Sequence, residues 1–528
     1  MKILTLLLVT ISTMESAKIL VFSPMFGHSH TKFLASIAEI LTEEKHDVTV
    51  VMPVVDSDER EKHCLKKTTK KIFMNLGEEV AKSMKIKTAM MSNIWTAKQG
   101  NPLEAIEMAR NMSRLFSDAC DSVIRNKEVL EKLRDEKFDL GIVEPFSQCG
   151  LAVFNIIGLD KYVSALSSIK FDHVSRAIGE PTATSFVPGT MSVFSDQMTL
   201  PQRLLNTLQT AIGNYIFSTV GDTEFDKVRK IYPDMPEWKE LVSLSTFVMP
   251  NTIPFLDFPA PTISKVVPIG GITVNLKKES YTLPEKWDKV LNERKHTVFI
   301  SFGSMAKSIA MPHEFKKSLI QLFTTMSDVT FIWKYENEKD TLVDHLPNVH
   351  LGSWLPQNEL LADKRLSLFI THGGLASIME LSFLGKPSIV IPLFADQYRN
   401  AKMLTRHGGA LTLAKEDLAN YKLLQNAIQN IIDDDSFSLN AERLSGVLLN
   451  QPTNARETLI KHVEFAARFG QQPLTDPYGR KLSFAQYYLI DVLLIVSSVV
   501  IVVLFVIYKI VKFVLSFVSR LTHKSKIE

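Results

Sequence analysis

The sequence predicts an α/β protein: two doubly wound, parallel-sheet domains facing a cleft, followed by one membrane-spanning helix. Three observations carry that expectation. Strand-like and helix-like segments alternate from Lys18 to Glu144, the same alternation starts afresh at Thr297, and 17 uncharged residues, Val492 to Tyr508, lie near the C-terminus. Alternation of this kind makes strands parallel and puts helices on both faces.

"KILVFS" at Lys18 to Ser23 reads as a first buried strand, "PMFGHSH" as a loop, and the run with Phe33, Leu34, Ile37, Ile40 and Leu41 on one face as a helix. "DVTVVM" at Asp47 to Met52 returns as a strand. Further on, a charged helix around Val129 to Arg134 precedes the strand "FDLGIVE", Phe138 to Glu144. A Pro-rich stretch ending in Gly-Gly, Pro250 to Gly271, marks a linker. The second series follows: strands "TVFISFGS", "VTFIWKY", "NVHLGSW", "LSLFI" and "SIVIPLF", with helices at Glu314 to Phe323 and Leu375 to Leu384. Two such units in one chain leave a cleft between them, the usual place for a ligand.

A chain of 528 residues suits two domains with accessory segments. With 45% apolar residues, 22% charged and a formal net charge of +3, it has no global field that would select nucleic acid. Met1-Lys2, the apolar "ILTLLLVTI" and the small residues Ser12, Ser16 and Ala17 fit a secretory signal peptide. Val492 to Tyr508 suits a membrane span, with Tyr487, Tyr488 and Tyr508 at the interfaces. Lys509, Lys512, Arg520, Lys524 and Lys526 follow it, so the basic tail faces the cytosol and the body the lumen. A buried core helix is the alternative, disfavoured by near-uniform apolarity and the basic flank. Lys524 and Lys526 match a KxKxx retrieval signal. Three cysteines, Cys64, Cys120 and Cys149, are too few for a disulfide framework, and their pairing is not legible. Asn111-Met112-Ser113 is a glycosylation sequon.

The densest chemistry lies in "LFITHGGLASIMELSFLGKPSIVIPLFADQ". Glycines at the Thr371 to Gly374 turn let backbone amides approach a ligand at the positive end of the next helix, an anion site of the kind that takes phosphate. Ser377 and Glu380 also fit S-x-x-E, an ordinary capping box. Asp396 and Gln397 offer two side chains able to gather several hydroxyls. In the first half, "GHSH" offers His28 and His30 as bases beside the first strand's carboxyl end, and Glu144 ends a neighbouring strand.

From "SWLPQNELL" (Ser353 to Leu361) through "FITHGGLASIMEL" to "GKPSIVIPLFADQYRNA", the chain resembles the membrane-bound UDP-glycosyltransferases, specifically the UDP-glucuronosyltransferase family. "FVPGTMSVFSDQMTL", "FISFGSM" and the membrane tail extend the resemblance over nearly the whole chain. It implies a GT-B-like fold. It also implies that Trp354 stacks on uracil, Gln357 helps hold the nucleoside, Ser304 and His372 meet the diphosphate beside Gly374, Glu380 accepts from ribose hydroxyls, and Asp396 and Gln397 bind the transferred sugar. Ser377 is counted on the same donor side. Ser29-His30 matches the family dyad, which makes His30 the base and His28 the reserve. Glu144 replaces the usual Asp as its partner, one methylene longer. Ala376, Tyr398-Arg399 and Lys334 also depart from the family pattern.

The resulting expectation is a type I endoplasmic reticulum membrane protein with a lumenal catalytic body. Residues 1–17 would be the signal peptide, 18–275 the acceptor domain, 276–470 the UDP-sugar domain, 471–491 a juxtamembrane segment, 492–508 the span and 509–528 the tail. It would transfer glucuronic acid from UDP-glucuronate, with inversion, to a hydroxyl of a small lipophilic acceptor, a conjugation that serves detoxification. UDP-glucose is the alternative donor, and a catalytically silent membrane scaffold the alternative class. No metal is expected, because Asp433-Asp434-Asp435 reads as solvated helix-end sequence. The acceptor's identity and any self-association into a homo-oligomer are left open.

Overall fold

The computed structural model describes residues 16–97, 102–275 and 281–524. The signal-peptide expectation falls almost wholly outside these residues, as does Lys526 of the retrieval signal. The chain divides into a body ending at Thr475 and a C-terminal unit from Asp476.

The body holds two sheets of six parallel strands. In the first, β1 (Lys18–Phe22), β2 (Asp47–Val54), β3 (Lys70–Asn75), β4 (Leu140–Val143), β5 (Tyr162–Leu166) and β6 (Val248–Pro250) take the order β3-β2-β1-β4-β5-β6. In the second, β7 (His296–Ser301), β8 (Val329–Lys334), β9 (Val349–Gly352), β10 (Leu366–Thr371), β11 (Ser388–Val390) and β12 (Ala410–Thr412) take the order β12-β11-β10-β7-β8-β9. Each winds outward in both directions from a central pair, β1/β4 and β7/β10. At those two places the crossover direction changes, and a crevice opens at the strands' carboxyl ends.

Parallel strands buried on both faces need continuous apolar runs. Ile19, Leu20 and Val21 in β1 and Val298, Phe299 and Ile300 in β7 supply them, all fully buried. The first helix, His28–Glu43, buries Phe33, Leu34, Ile37, Ala38 and Leu41, spaced three and four apart as a helix facing a sheet requires. A disulfide joins Cys120, on the helix Pro102–Ile124, to Cys149 at the start of the helix Cys149–Ile157, with 5.4 Å between the Cα atoms. Cys64 remains free.

Three sequence expectations need revision. The Pro-rich segment after β6 is packed rather than a loose linker, because Ile253, Leu256 and Phe258 enter the core around Phe299 and Phe369 of the second sheet, while Ile269 enters the first lobe. The domain boundary at residue 470 also moves. The helix Ala455–Phe469 leaves the second lobe and lies on the first, burying Leu459, Val463 and Ala466 among Ile19, Ile37 and Val163. Arg456 pairs with Glu43 and Glu44 at 2.8 Å on the first helix. Finally, the C-terminal helix runs from Ile490 to Lys524 and does not stop at Tyr508. No Gly or Pro breaks it, and Ile510, Val511, Phe513 and Val514 carry its apolar character past Lys509 and Lys512. Its segment Ile490–Leu521 is long and apolar enough to cross a membrane, about 48 Å against a hydrocarbon core of about 30 Å.

The docking of Ala455–Phe469 should therefore matter to the first lobe. Leu459→Ala, at a side chain with 0% exposure, should lower the body's stability by about 2–5 kcal/mol in a urea melt. A loss under about 0.5 kcal/mol would mean the helix is only loosely applied.

Candidate active site

At the β1/β4 crevice the first lobe presents a histidine and an acid. His30 lies in the first turn of the helix that follows β1, and Glu144 directly follows β4. His30 Nδ1 donates to Glu144 Oε2 at 2.8 Å, and Ser167 Oγ lies 2.9 Å from the same nitrogen. The other oxygen of Glu144 accepts from the Ser167 backbone N–H at 2.8 Å. The carboxylate, 2% exposed, is thereby held at both ends, and the longer Glu side chain is accommodated. A proton held on Nδ1 leaves Nε2 as the basic nitrogen. Phe26 and Phe146 pack against the ring, with centroids 4.5 and 5.0 Å away.

The loop carrying Glu144 is braced from behind. Glu224, on the long helix Leu200–Ile231, accepts from Ser147 Oγ and from the Gln148 backbone N–H, both at 2.6 Å. Complete burial pushes its carboxyl up to about 7. His173, packed against Phe217 and Trp238 nearby, is driven the other way by burial, to about 4, and is neutral near pH 7.

At the β7/β10 crevice the second lobe presents a glycine turn beside the start of a helix. Gly303 and Gly373 have φ of +82° and +86°, left-handed values that suit glycine. A Cβ on Gly303 or Gly374 would lie 2.6 or 2.7 Å from the His372 ring, so both glycines make room for it. The helix Leu375–Leu384 starts at Gly374 with no side-chain cap, leaving its first amides to the cavity. Ser377 and Glu380 lie inside this helix, so they form no capping box: the cap position belongs to Gly374. Burial, then Lys334, lowers His372 to about 4, and its Nδ1 is buried without a partner. Lys334 Nζ donates to the Gly303 carbonyl at 2.5 Å and stands 5.7 Å from the Trp354 ring. Burial pulls its pKa down as well.

Trp354 is 60% exposed on the loop before the helix Gln357–Ala362, outside the core. Gln357 Nε2 donates to Glu380 Oε2 at 2.6 Å and to Ser377 Oγ at 3.1 Å. Asp396 and Gln397 open the helix Gln397–Thr405 after Ala395, whose φ of +53° is strained for a residue with a side chain. Gln397 Oε1 accepts from the Leu393 and Phe394 backbone N–H groups, which leaves its amide NH2 for a ligand. Asn400 donates to Asp396 Oδ2 at 2.9 Å and to the Gly373 carbonyl at 3.1 Å, locking the acid to the turn. Burial raises the Asp396 carboxyl.

One cavity of about 510 Å³ joins the two halves and is lined by every predicted catalytic and donor-side residue except Glu144, which lies behind His30. Its far wall, with Met112, Phe116, Phe146, Phe171 and Phe217, is apolar. Sequence reasoning missed Ser167 and gave Asn400 no role. Asn400 had a local signal, four residues after Asp396; Ser167, 137 residues from His30, had none. Asn111 lies half-buried within the helix Pro102–Ile124, and Ser113 of its sequon is buried. Asp433, Asp434 and Asp435 are exposed where two helices meet, and among the described residues no three His, Cys, Asp or Glu side chains converge.

The family model described as UDP-glucoronosyl and UDP-glucosyl transferase matches residues 17–525. UDP-glucuronosyltransferase 1A10 of Homo sapiens is 28% identical over 510 residues, 95% of this chain and 92% of that one. UDP-glucosyltransferase 2 of Dactylopius coccus is 28% identical over 498 residues, 93% of this chain and 92% of that one. The structure of UGT2 from Phytolacca americana, complexed with UDP-2fluoro-glucose and pterostilbene, superimposes with a TM-score of 0.57 at 16% identity, covering 86% of this chain and 100% of that one. The two six-stranded lobes are thus those of a GT-B glycosyltransferase.

The turn at Gly374 is open to a direct test. Gly374→Ala, by pushing on His372, should weaken UDP binding at least about tenfold in calorimetry, the worth of one charged hydrogen bond, with an unchanged far-UV spectrum. Trp354→Ala should weaken it by about 1–3 kcal/mol, the scale of base stacking on an aromatic ring. Unchanged affinity in both variants would place the nucleotide elsewhere.

Proposed function

Because the chain belongs to the UDP-glucuronosyl and UDP-glucosyl transferase family, we propose that it transfers glucuronic acid from UDP-glucuronate to a hydroxyl of a small lipophilic acceptor, with inversion. The observation that carries the proposal is the His30–Glu144 pair, set between an apolar chamber and the uncapped helix at Gly374. An acceptor hydroxyl in that chamber gives its proton to His30 Nε2 while its oxygen attacks the anomeric carbon. The bond to UDP breaks on the opposite face, and the diphosphate leaves with the electron pair. Glu144 stabilises the imidazolium and fixes its tautomer, as the acid does in a hydrolase triad. The amides at Gly374, with His372 and Ser304, receive the leaving charge. Asp396 and the Gln397 amide hold the sugar's hydroxyls. Trp354, Gln357, Ser377 and Glu380 hold the nucleoside.

Relatives named UDP-glucuronosyltransferase support glucuronate as the sugar. Glucose is the second reading, since Asp396 and Gln397 address hydroxyls that both sugars carry. No metal enters this scheme, in which the Gly374 amides, His372 and Ser304 take the leaving charge. The disulfide supports a body in an oxidising lumen, and the apolar C-terminal helix supports a single membrane anchor. With the tail in the cytosol, retention in the endoplasmic reticulum would rest on Lys524 and Lys526.

A donor panel with mixed lipophilic phenols, read by conjugate mass, decides between the sugars. A glucose conjugate alone would replace the first reading with the second, and no conjugate from any donor would favour a silent scaffold. His30→Ala should lower turnover by about 100-fold or more while UDP still binds, and Glu144→Gln should do so more mildly. Equal loss of UDP binding would mark His30 as structural. Turnover should persist in excess chelator, and chelator-sensitive activity would put a cation at the diphosphate.

A further inference from the structure

The first helix belongs to the acceptor lobe, yet it reaches the donor side. His28 and Lys32 are four residues apart, hence on one helical face. The His28 and Trp354 rings stand edge to face with centroids 5.4 Å apart. Lys32 Nζ donates to Glu380 Oε1 at 2.8 Å across the cleft, while Gln357 occupies Oε2. Glu380 is 4% exposed, so Lys32 is its countercharge in a place where an unpaired carboxylate is expensive. A carboxylate has about four lone-pair sites. Lys32 and Gln357 use one on each oxygen, and the two that remain match the two hydroxyls of a ribose.

We infer that Lys32 is a positioning residue of the nucleoside site, supplied from the opposite lobe, which aims the Glu380 carboxylate at the ribose of the bound nucleotide. It rests on the donor reading above. The pair also ties His30 to the nucleotide, because His30 lies two residues before Lys32 in the same helical turn. A closed cleft that aligns Lys32 with Glu380 therefore brings the base over the donor. A nucleotide with an intact ribose favours that closed state over an open one, since only there does Glu380 have both partners.

The test is a double-mutant cycle on the full-length protein in detergent, with UDP and 2′-deoxy-UDP as probes in calorimetry and steady-state kinetics alongside. Lys32→Met keeps the stem and removes the charge. It should weaken UDP binding about tenfold, raise the donor KM and lower kcat, and leave the acceptor KM unchanged. In a Glu380→Gln background the same substitution should add less than about twofold, and UDP and 2′-deoxy-UDP should then bind almost alike. Lys32→Arg, which keeps the charge, should stay within about threefold of the parent. The inference is overturned if Lys32→Met leaves UDP affinity intact, if its effect is the same size in the Glu380→Gln background, or if Lys32→Arg is as damaging as Lys32→Met. A parent protein that binds no UDP would overturn the donor reading itself, a separate result visible before any variant is made.

Discussion

A doubly wound parallel sheet has one place where neighbouring crossovers depart to opposite faces, and there the strand ends are left uncovered. Everything chemical in this molecule is attached to two such places. His30 and Glu144 follow β1 and β4; Gly303, Ser304, His372 and Gly374 follow β7 and β10. Rigid strands deliver these groups, so their separations are set by sheet geometry rather than by loop conformation. The remaining site residues hang from this frame. Asp396 is fixed by Asn400 to the Gly373 carbonyl, and Glu144 by Ser167 at the end of the adjoining strand β5.

Burial sorts the ionisable groups within that frame. His372 and Lys334, both shifted down by desolvation, flank the Gly303 and Gly374 turns, so any anion bound there as proposed would meet donors that have already lost much of their water. Glu224, shifted up, sits behind the catalytic loop and accepts two hydrogen bonds without a cationic partner. A carboxyl of this kind carries little charge below pH 7 and so braces the loop by hydrogen bonding rather than by charge. In the apolar chamber the aromatic stack of Phe26, Phe146, Phe171 and Phe217 supplies area and shape with few polar groups to satisfy, as a pocket for lipophilic compounds needs.

Much of this was legible in the chain because the informative signals are local. Buried strands are unbroken apolar runs, and the helix Leu375–Leu384 was read with its observed ends. Three of the four edge strands were not: β3 begins with two lysines, and β6 and β12 are three residues long, too short to show a period. The S-x-x-E pattern at Ser377 was misleading in the opposite sense, a real local signature overridden by Gly374 at the cap. The His30–Glu144 pair, 114 residues apart, was reached through the shared sheet edge and the family pattern, but most other contacts between distant segments left no trace. Lys32 and Glu380 are 348 residues apart, Ser147 and Glu224 are 77 apart, and nothing in either stretch announces the partner. Likewise the amphipathic pattern of Ala455–Phe469 reveals that one face must be covered, but not by which lobe.

That last helix makes the first lobe discontinuous in sequence. The polypeptide passes between lobes once after β6 and again before Ala455, so two covalent connections join them. A lobe exchanged between relatives at a single junction would combine one protein's sheet with another's Leu459, Val463 and Ala466. Functional chimaeras need a second junction near Asn454, so that the sheet and the helix that seals its flank are inherited together.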